Sequence, residues 1–228
     1  MRLSIHLCKC FDGTGQLTIA ESEFSDQYNK PIIVEVGAER EEFHIHRGLV
    51  CSYSSYFIGA LTHGWKEAEE GKIKLHNENV DVFRVFFEWL YTRRLPVCGL
   101  FDTPCSENYS RRLLIQAWIF GDAHGIPSLQ NAITSMLIAT WDRNSYFVAA
   151  NNVTLIYENT LSRSPLRKLV VDMAAAWQDR IELLEPENGG EEVYPWEFYR
   201  DLAIGAFKTN TNSFKNRNAR DWRKYDVR

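Results

Sequence analysis

In "EFHIHRGLVCSYSSYFIGAL", residues 42–61, apolar and polar residues alternate up to His46, and from Arg47 the apolar ones recur at helical spacing. The run "PIIVEVG" from Pro31 is β-branched and closes on a glycine, and "EEFHIH" after the charged turn "AERE" puts Phe43 and Ile45 on one face. Together they predict a β-hairpin. In "RGLVCSYSSYFIGALTHG" Leu49, Tyr53 and Phe57 share a side, and the serines from Ser52 to Ser55 predict a break between two short helices. "GKIKLHN" reads as a short strand with Ile73 and Leu75 pointing one way, and Asn77 or Asn79 offers the cap of the next helix. That helix, "VDVFRVFFEWLYTRRL", carries Phe83, Phe86, Phe87 and Leu90 on one side and Val82, Val85 and Trp89 on another, with Pro96 as its expected stop. A helix apolar nearly all round belongs in the interior, so it is expected to be the centre of its domain.

The second half of the chain reads as helical. Leu113, Leu114, Ala117, Trp118 and Phe120 define a helix closing at Gly125, and Pro127 opens its antiparallel successor. Ser164-Pro165 starts a further helix with Leu166, Leu169, Val170, Met173 and Trp177 as its stripe, and Pro195 opens another. Residues 1–30 show weak periodicity and are expected to form an arm. No internal repeat or coiled-coil heptad is visible.

With 228 residues, 45% hydrophobic and 13% aromatic, the chain can fill a proper core. A formal net charge of -4 gives no general attraction to phosphate backbones. The exception is local: residues 208–228 hold seven basic residues against Asp221 and Asp226, and Trp222 and Tyr225 offer rings for stacking on bases. The preferred reading of that stretch is a flexible basic tail, solvated or resting on the glutamates from Glu185 to Glu192. Five cysteines, an odd number at low density, read as thiols of a reducing compartment. The first residues lack a signal-peptide pattern and no run of about 18 apolar residues occurs, so an intracellular chain without a membrane span is expected.

His44-Ile45-His46 places two imidazoles on one strand face, as some zinc sites require, but no third ligand lies near in sequence. A structural histidine at the turn from strand to helix is the preferred reading. His6, Cys8 and Cys10 lack a second knuckle. "GDAHG" pairs Asp122 with His124 without a placed nucleophile and reads as a helix end, and "GTG" at 13–15 lacks the rest of a phosphate loop. No cofactor, metal or catalytic residue is expected, and the chain is read as a non-enzyme.

The punctuating residues, "IVEVG…EFHIHRGLVCSYSSYFIGAL…GWKEAEEGKIKLHNENVDVFRVFFEWLYTRRL", resemble a BTB/POZ domain, through Phe43, His46, Arg47, Ser55, Phe57, Phe83, Trp89 and Tyr91. The resemblance runs over about residues 31–140, because "LLIQAWIFGDAHGIPSLQNAITSMLI" is similar to the closing helical pair of that family. Beyond it, "YENTLSRSPLRKLVVDM" is similar to the extension of BTB-only proteins of filamentous fungi. The fold implied is α+β: a small sheet flanked by a helical cluster, residues 31–140, then a helical extension, residues 141–207, and the tail, residues 208–228. The resemblance places His46 and Arg47 at the seam, serving packing and surface charge.

The function implied is protein–protein interaction, either self-association or adaptor work for a cullin-type ubiquitin ligase. Cullin-binding relatives carry a hydrophobic-x-Glu element where Trp65-Lys66-Glu67 falls here. Trp65 is then the expected anchor and Glu67 the orienting charge, with Tyr56, Phe57 and Tyr91 as supporting or interface aromatics. Two departures are expected to matter. Pro31 stands near where homodimeric relatives have an aspartate, and Arg93 replaces the usual glycine after the helix, which predicts a looser turn. The rivals are a scaffold unconnected to ubiquitin and a chromatin factor using the basic tail.

Overall fold

The structure is a computed structural model that describes residues 30–62, 67, 70–95, 107–144, 149–175, 194–208 and 225–227. The chain gathers into two compact units, Met1–Pro96 with Phe120–Ile126, and Val97–Ile119 with Pro127–Arg228.

In the first unit β1 (Pro31–Val36) pairs antiparallel with β2 (Glu41–His46), from Pro31 opposite His46 to Val36 opposite Glu41. Helices α1 (Arg47–Cys51) and α2 (Ser55–Thr62) follow, and β3 (Lys72–Leu75) then returns parallel to β1, giving the order β2-β1-β3. A parallel partner needs a crossover of a dozen or more residues, and the stretch with α1 and α2 supplies it. Because side chains alternate across a strand, Ile32, Val34, Val36, Phe43, Ile45, Ile73 and Leu75 are all buried on one face. On the other face Lys72 Nζ lies 2.8 Å from the Glu35 carboxylate and 3.2 Å from Glu42, and His76 Nε2 lies 3.4 Å from Glu35. The hydrogen bond from Lys72 is the main reason that the Glu35 carboxyl sits below its ordinary range; desolvation opposes it, and His76 adds to it.

Helix α3 (Val80–Thr92) is held at its start by Asn79, whose side chain accepts from the N–H groups of Asp81 at 2.8 Å and Val82 at 3.2 Å. Such a cap contributes about 1 kcal/mol. Val82, Phe83, Val85, Phe86, Trp89 and Leu90 are buried, and the rings of Phe57, Phe83 and Phe120 stand 6.2, 5.5 and 5.4 Å from that of Phe86. This is the core of the unit, and the expected central helix occupies it. Two local expectations change. In α1 the residue turned inward is Val50, with Leu49 half-buried. The end of α3 falls at Arg93, before Pro96, because Arg93 takes the left-handed conformation, φ 59 and ψ 17.

The turn at Arg93 is therefore not the loose one expected. Its guanidinium lies 3.6 Å from the Tyr53 ring centroid and 4.7 Å from that of Trp89. A non-glycine residue in that conformation costs about 1 kcal/mol, and cation–π contacts of about 0.5–1 kcal/mol each offset it.

The second unit contains α4 (Glu107–Ala123) up to Ile119, then α5 (Pro127–Asn144), α6 (Ala150–Asn159), α7 (Pro165–Ala175) and α8 (Trp196–Lys208). Trp118 of α4 donates its indole N–H to Thr134 of α5 at 3.1 Å, the partner that a buried indole needs. Helices α6, α7 and α8 pack on one another through Val153, Ile156, Leu166, Leu169, Val170, Met173 and Phe198. Arg167 closes α6 by donating to the carbonyls of Tyr157 and Thr160, which a helix end leaves without partners. Its guanidinium also lies 4.4 Å over the Tyr157 ring. The last residues described, Tyr225–Val227, bond to Asn131 of α5 and Asp172 of α7, so this end of the expected flexible tail is docked. Trp177, the arm at 1–30 and residues 209–224 lie outside the described residues.

Two substitutions test the turns. Arg93→Gly removes both the backbone cost and the ring contacts and should leave stability within about 1 kcal/mol of the parent, whereas Arg93→Ala keeps the cost and should be about 1 kcal/mol less stable than the glycine variant. A urea midpoint for Arg93→Ala above that of Arg93→Gly would refute this account. Gly125 has φ +59, and a Cβ there would stand 2.0 Å from Ser55 Oγ. Gly125→Ala should therefore cost about 3 kcal/mol, read as a lower urea midpoint.

Candidate interaction site

The start of α2 is tied to the turn after α4. Ser54, buried, accepts from the Phe57 N–H at 3.2 Å and donates to the His124 carbonyl at 2.7 Å, while the Ser55 N–H donates to the Gly125 carbonyl at 3.2 Å. Serine suits this place because its hydroxyl serves a helix N–H and a distant carbonyl together. With the backbone so fixed, consecutive residues of α2 part company. Phe57 points inward and is 0% exposed, whereas Tyr56 is 39% exposed, with its ring edge-on to His124 at 4.8 Å.

His124 is buried at 5% exposure, stacked 4.0 Å from Phe120, with Nδ1 2.9 Å from the Phe120 carbonyl. A carbonyl only accepts, so Nδ1 carries the proton and Nε2 faces the Glu78 carboxylate at 3.7 Å. Burial is the first cause that raises the Tyr56 phenol above its ordinary pKa, and the charges of Glu67 and Glu78 raise it further. The result is a half-exposed aromatic ring beside two carboxylates, an arrangement that offers apolar area and a negative rim to a partner with cationic or donor groups.

The structure divides the expected partner-facing residues. Tyr56 and half-buried Glu67 belong to one group. Phe57 does not face outward; it sits beneath Tyr56, with ring centroids 5.3 Å apart, and can serve only as a support. Tyr91, 41% exposed, belongs to a second group at the end of α3: its hydroxyl accepts from the His46 N–H at 3.2 Å and lies 2.9 Å from His46 Nδ1, and its ring rests on Phe87 at 5.1 Å. Trp65 lies outside the described residues. Arg47, expected to serve packing and surface charge, donates to the Leu61 carbonyl and so ties the end of α2 to the start of α1.

His124 and Glu78 were missing from the expected set. "GDAHG" does end α4, with Gly125 at positive φ, but the approach of His124 to Tyr56 spans 68 residues and leaves no local mark in sequence. His44 is exposed on the polar face of β2, opposite Ile33. Among the described residues no group of three or more His, Cys, Asp or Glu side chains is arranged to hold a metal ion, and no helix is long and apolar enough to cross a membrane.

Comparison with protein families finds a match to the BTB/POZ domain over residues 24–138, half of the chain. The matched stretch runs from before β1 into α5 and includes every residue of the site just described.

The electrostatic part of the site is open to a direct check. Glu67→Gln removes one of the two charges raising the Tyr56 pKa, so the phenol should titrate lower than in the parent, closer to 10.0, with the part due to burial retained. A titration of ring-labelled tyrosines by NMR reads this, and an unmoved Tyr56 would show that the Glu67 carboxylate does not act there.

Proposed function

Since the chain belongs to the BTB/POZ domain family, whose domains are protein–protein interaction modules, we propose that it is an adaptor that docks on a cullin-type scaffold of a ubiquitin ligase. The observation that supports this reading is the half-exposed Tyr56 ring beside the charge of Glu67, the last residue of the hydrophobic-x-Glu element Trp65-Lys66-Glu67. In this reading Trp65 is the anchor, Glu67 sets register, Tyr56 adds aromatic area at the rim, and Phe57 supports Tyr56 from beneath. Tyr91, hydrogen-bonded to His46, serves a separate surface. The BTB domain is taken as residues 31–140, and the helical extension, residues 141–207, as the part that binds a substrate protein inside the cell.

The physical case rests on division of labour. A desolvated aromatic supplies most of the affinity of such a contact, while a charge at its rim steers association and penalises wrong partners. A scaffold without ligase partners remains the other protein-binding reading. The reading through nucleic acid loses one of its two rings, because Tyr225 is 2% exposed and bonded to Asp172.

The test is a pull-down with a purified cullin N-terminal domain. The intact chain should bind; Trp65→Ala with Glu67→Ala should abolish binding without loss of fold; Tyr56→Ala should weaken it by about tenfold, the loss of about 1.4 kcal/mol of contact. Failure of the folded intact chain to bind would end the ligase reading and leave a BTB scaffold.

A further inference from the structure

Tyr225 is 2% exposed although 16 residues separate it from the end of α8 at Lys208. Its hydroxyl donates to the Asp172 carboxylate of α7. Two residues further on, one side chain of α5 holds both backbone groups of Val227: the N–H donates to Asn131 Oδ1 at 2.6 Å, and the carbonyl accepts from Asn131 Nδ2 at 3.0 Å. A carboxamide offers one acceptor and two donors, so a single asparagine pairs with a backbone much as a neighbouring strand does. Between the two fixed points, the side chain of Asp226 is exposed.

This division is that of a bound peptide. The Tyr225 side chain is read by burial and by Asp172, the next side chain is not read, and Val227 is captured through its backbone. Neither contact depends on the chain connection between Lys208 and Tyr225. Because the segment belongs to the same chain, a ligand arriving from outside must compete with it.

We infer that Asn131 of α5 and Asp172 of α7 form a peptide-binding site on the second unit, whose resident ligand is the chain's own Tyr225-Asp226-Val227 segment and which accepts in trans, once that ligand is released, a segment with tyrosine two residues before the backbone that Asn131 holds. The inference is independent of the cullin reading and concerns the other unit.

The experiment uses the full chain. A fluorescein-labelled peptide of residues 221–228 is titrated with the parent, with Tyr225→Ala, and with Val227→Pro, which removes the N–H that donates to Asn131 Oδ1 and fixes φ at residue 227. Each protein is checked by circular dichroism and light scattering, and binding is read as anisotropy. At least one folded release variant should bind the peptide ten times more tightly than the parent does. Adding Asn131→Ala should weaken that binding by about tenfold, and a peptide with alanine in place of its tyrosine should not bind. The inference is overturned if the folded variants do not bind, if the alanine peptide binds as well, or if both variants unfold, since the segment would then be a fixed part of the core.

Discussion

The hydrogen bond from the buried Ser54 hydroxyl to the His124 carbonyl is the constraint on which the first unit turns. It joins residues 70 positions apart, and with the Ser55–Gly125 backbone bond it sets the rotation of α2 about its axis. From that rotation follow the inward course of Phe57 toward Phe86 and the outward course of Tyr56 toward His124. A buried hydroxyl without its partner would cost about 1–3 kcal/mol, so the start of α2 cannot turn freely without exposing that loss. The surface at Tyr56 is thus fixed by the interior, and its aromatic ring needs little further ordering to meet a partner.

The two polar clusters of this unit differ in kind. On the sheet, Glu35 lies 2.8 Å from the Lys72 ammonium and 3.4 Å from His76 Nε2, and its charge is answered within the fold by Lys72. Around Tyr56 the neighbouring charges are Glu67 and Glu78, and both make the phenol harder to ionise. His124 Nε2 lies 3.7 Å from Glu78, and the His124 ring is itself buried. Answered charge holds a fold in register; carboxylates beside a half-exposed ring are a property of surfaces that meet something else.

Most of the first unit was legible in sequence because its periodicity is strong. The β-branched run of β1, the alternation of β2 and the apolar girth of α3 each have a local cause and each stands where expected, and of the two caps offered, Asn77 and Asn79, the helix uses Asn79. The parallel pairing of β3 with β1 was not legible, since "KIKL" reads the same whichever way its partner runs. Helix α6 was passed over as a distinct element: Ala150, Val153 and Ile156 follow a helical face, but its three asparagines favour turns over helix interiors, and Arg167 closes it from the next helix. Arg93 misled for a different reason, because its ring contacts allow a conformation that its residue type alone disfavours. At the candidate site, Tyr56 and Glu67 could be named from sequence, whereas Glu78 and His124 are brought to Tyr56 only by tertiary structure.

The first unit is also discontinuous along the chain, and this has a bearing on its birth. Phe120, whose ring packs on Phe83 and Phe86, and His124 and Gly125, which fix α2, are made only after the residues of Val97–Ile119. A ribosome adding residues at about 5–20 per second has already produced the sheet and α3 some seconds before these pieces emerge. Through that interval the nascent sheet and α3 lack a wall of their core and leave aromatic surface uncovered. The stretch around Phe120–Ile126 is therefore the point in synthesis at which the unit first becomes able to close, and a chain halted before it is a candidate for chaperone capture.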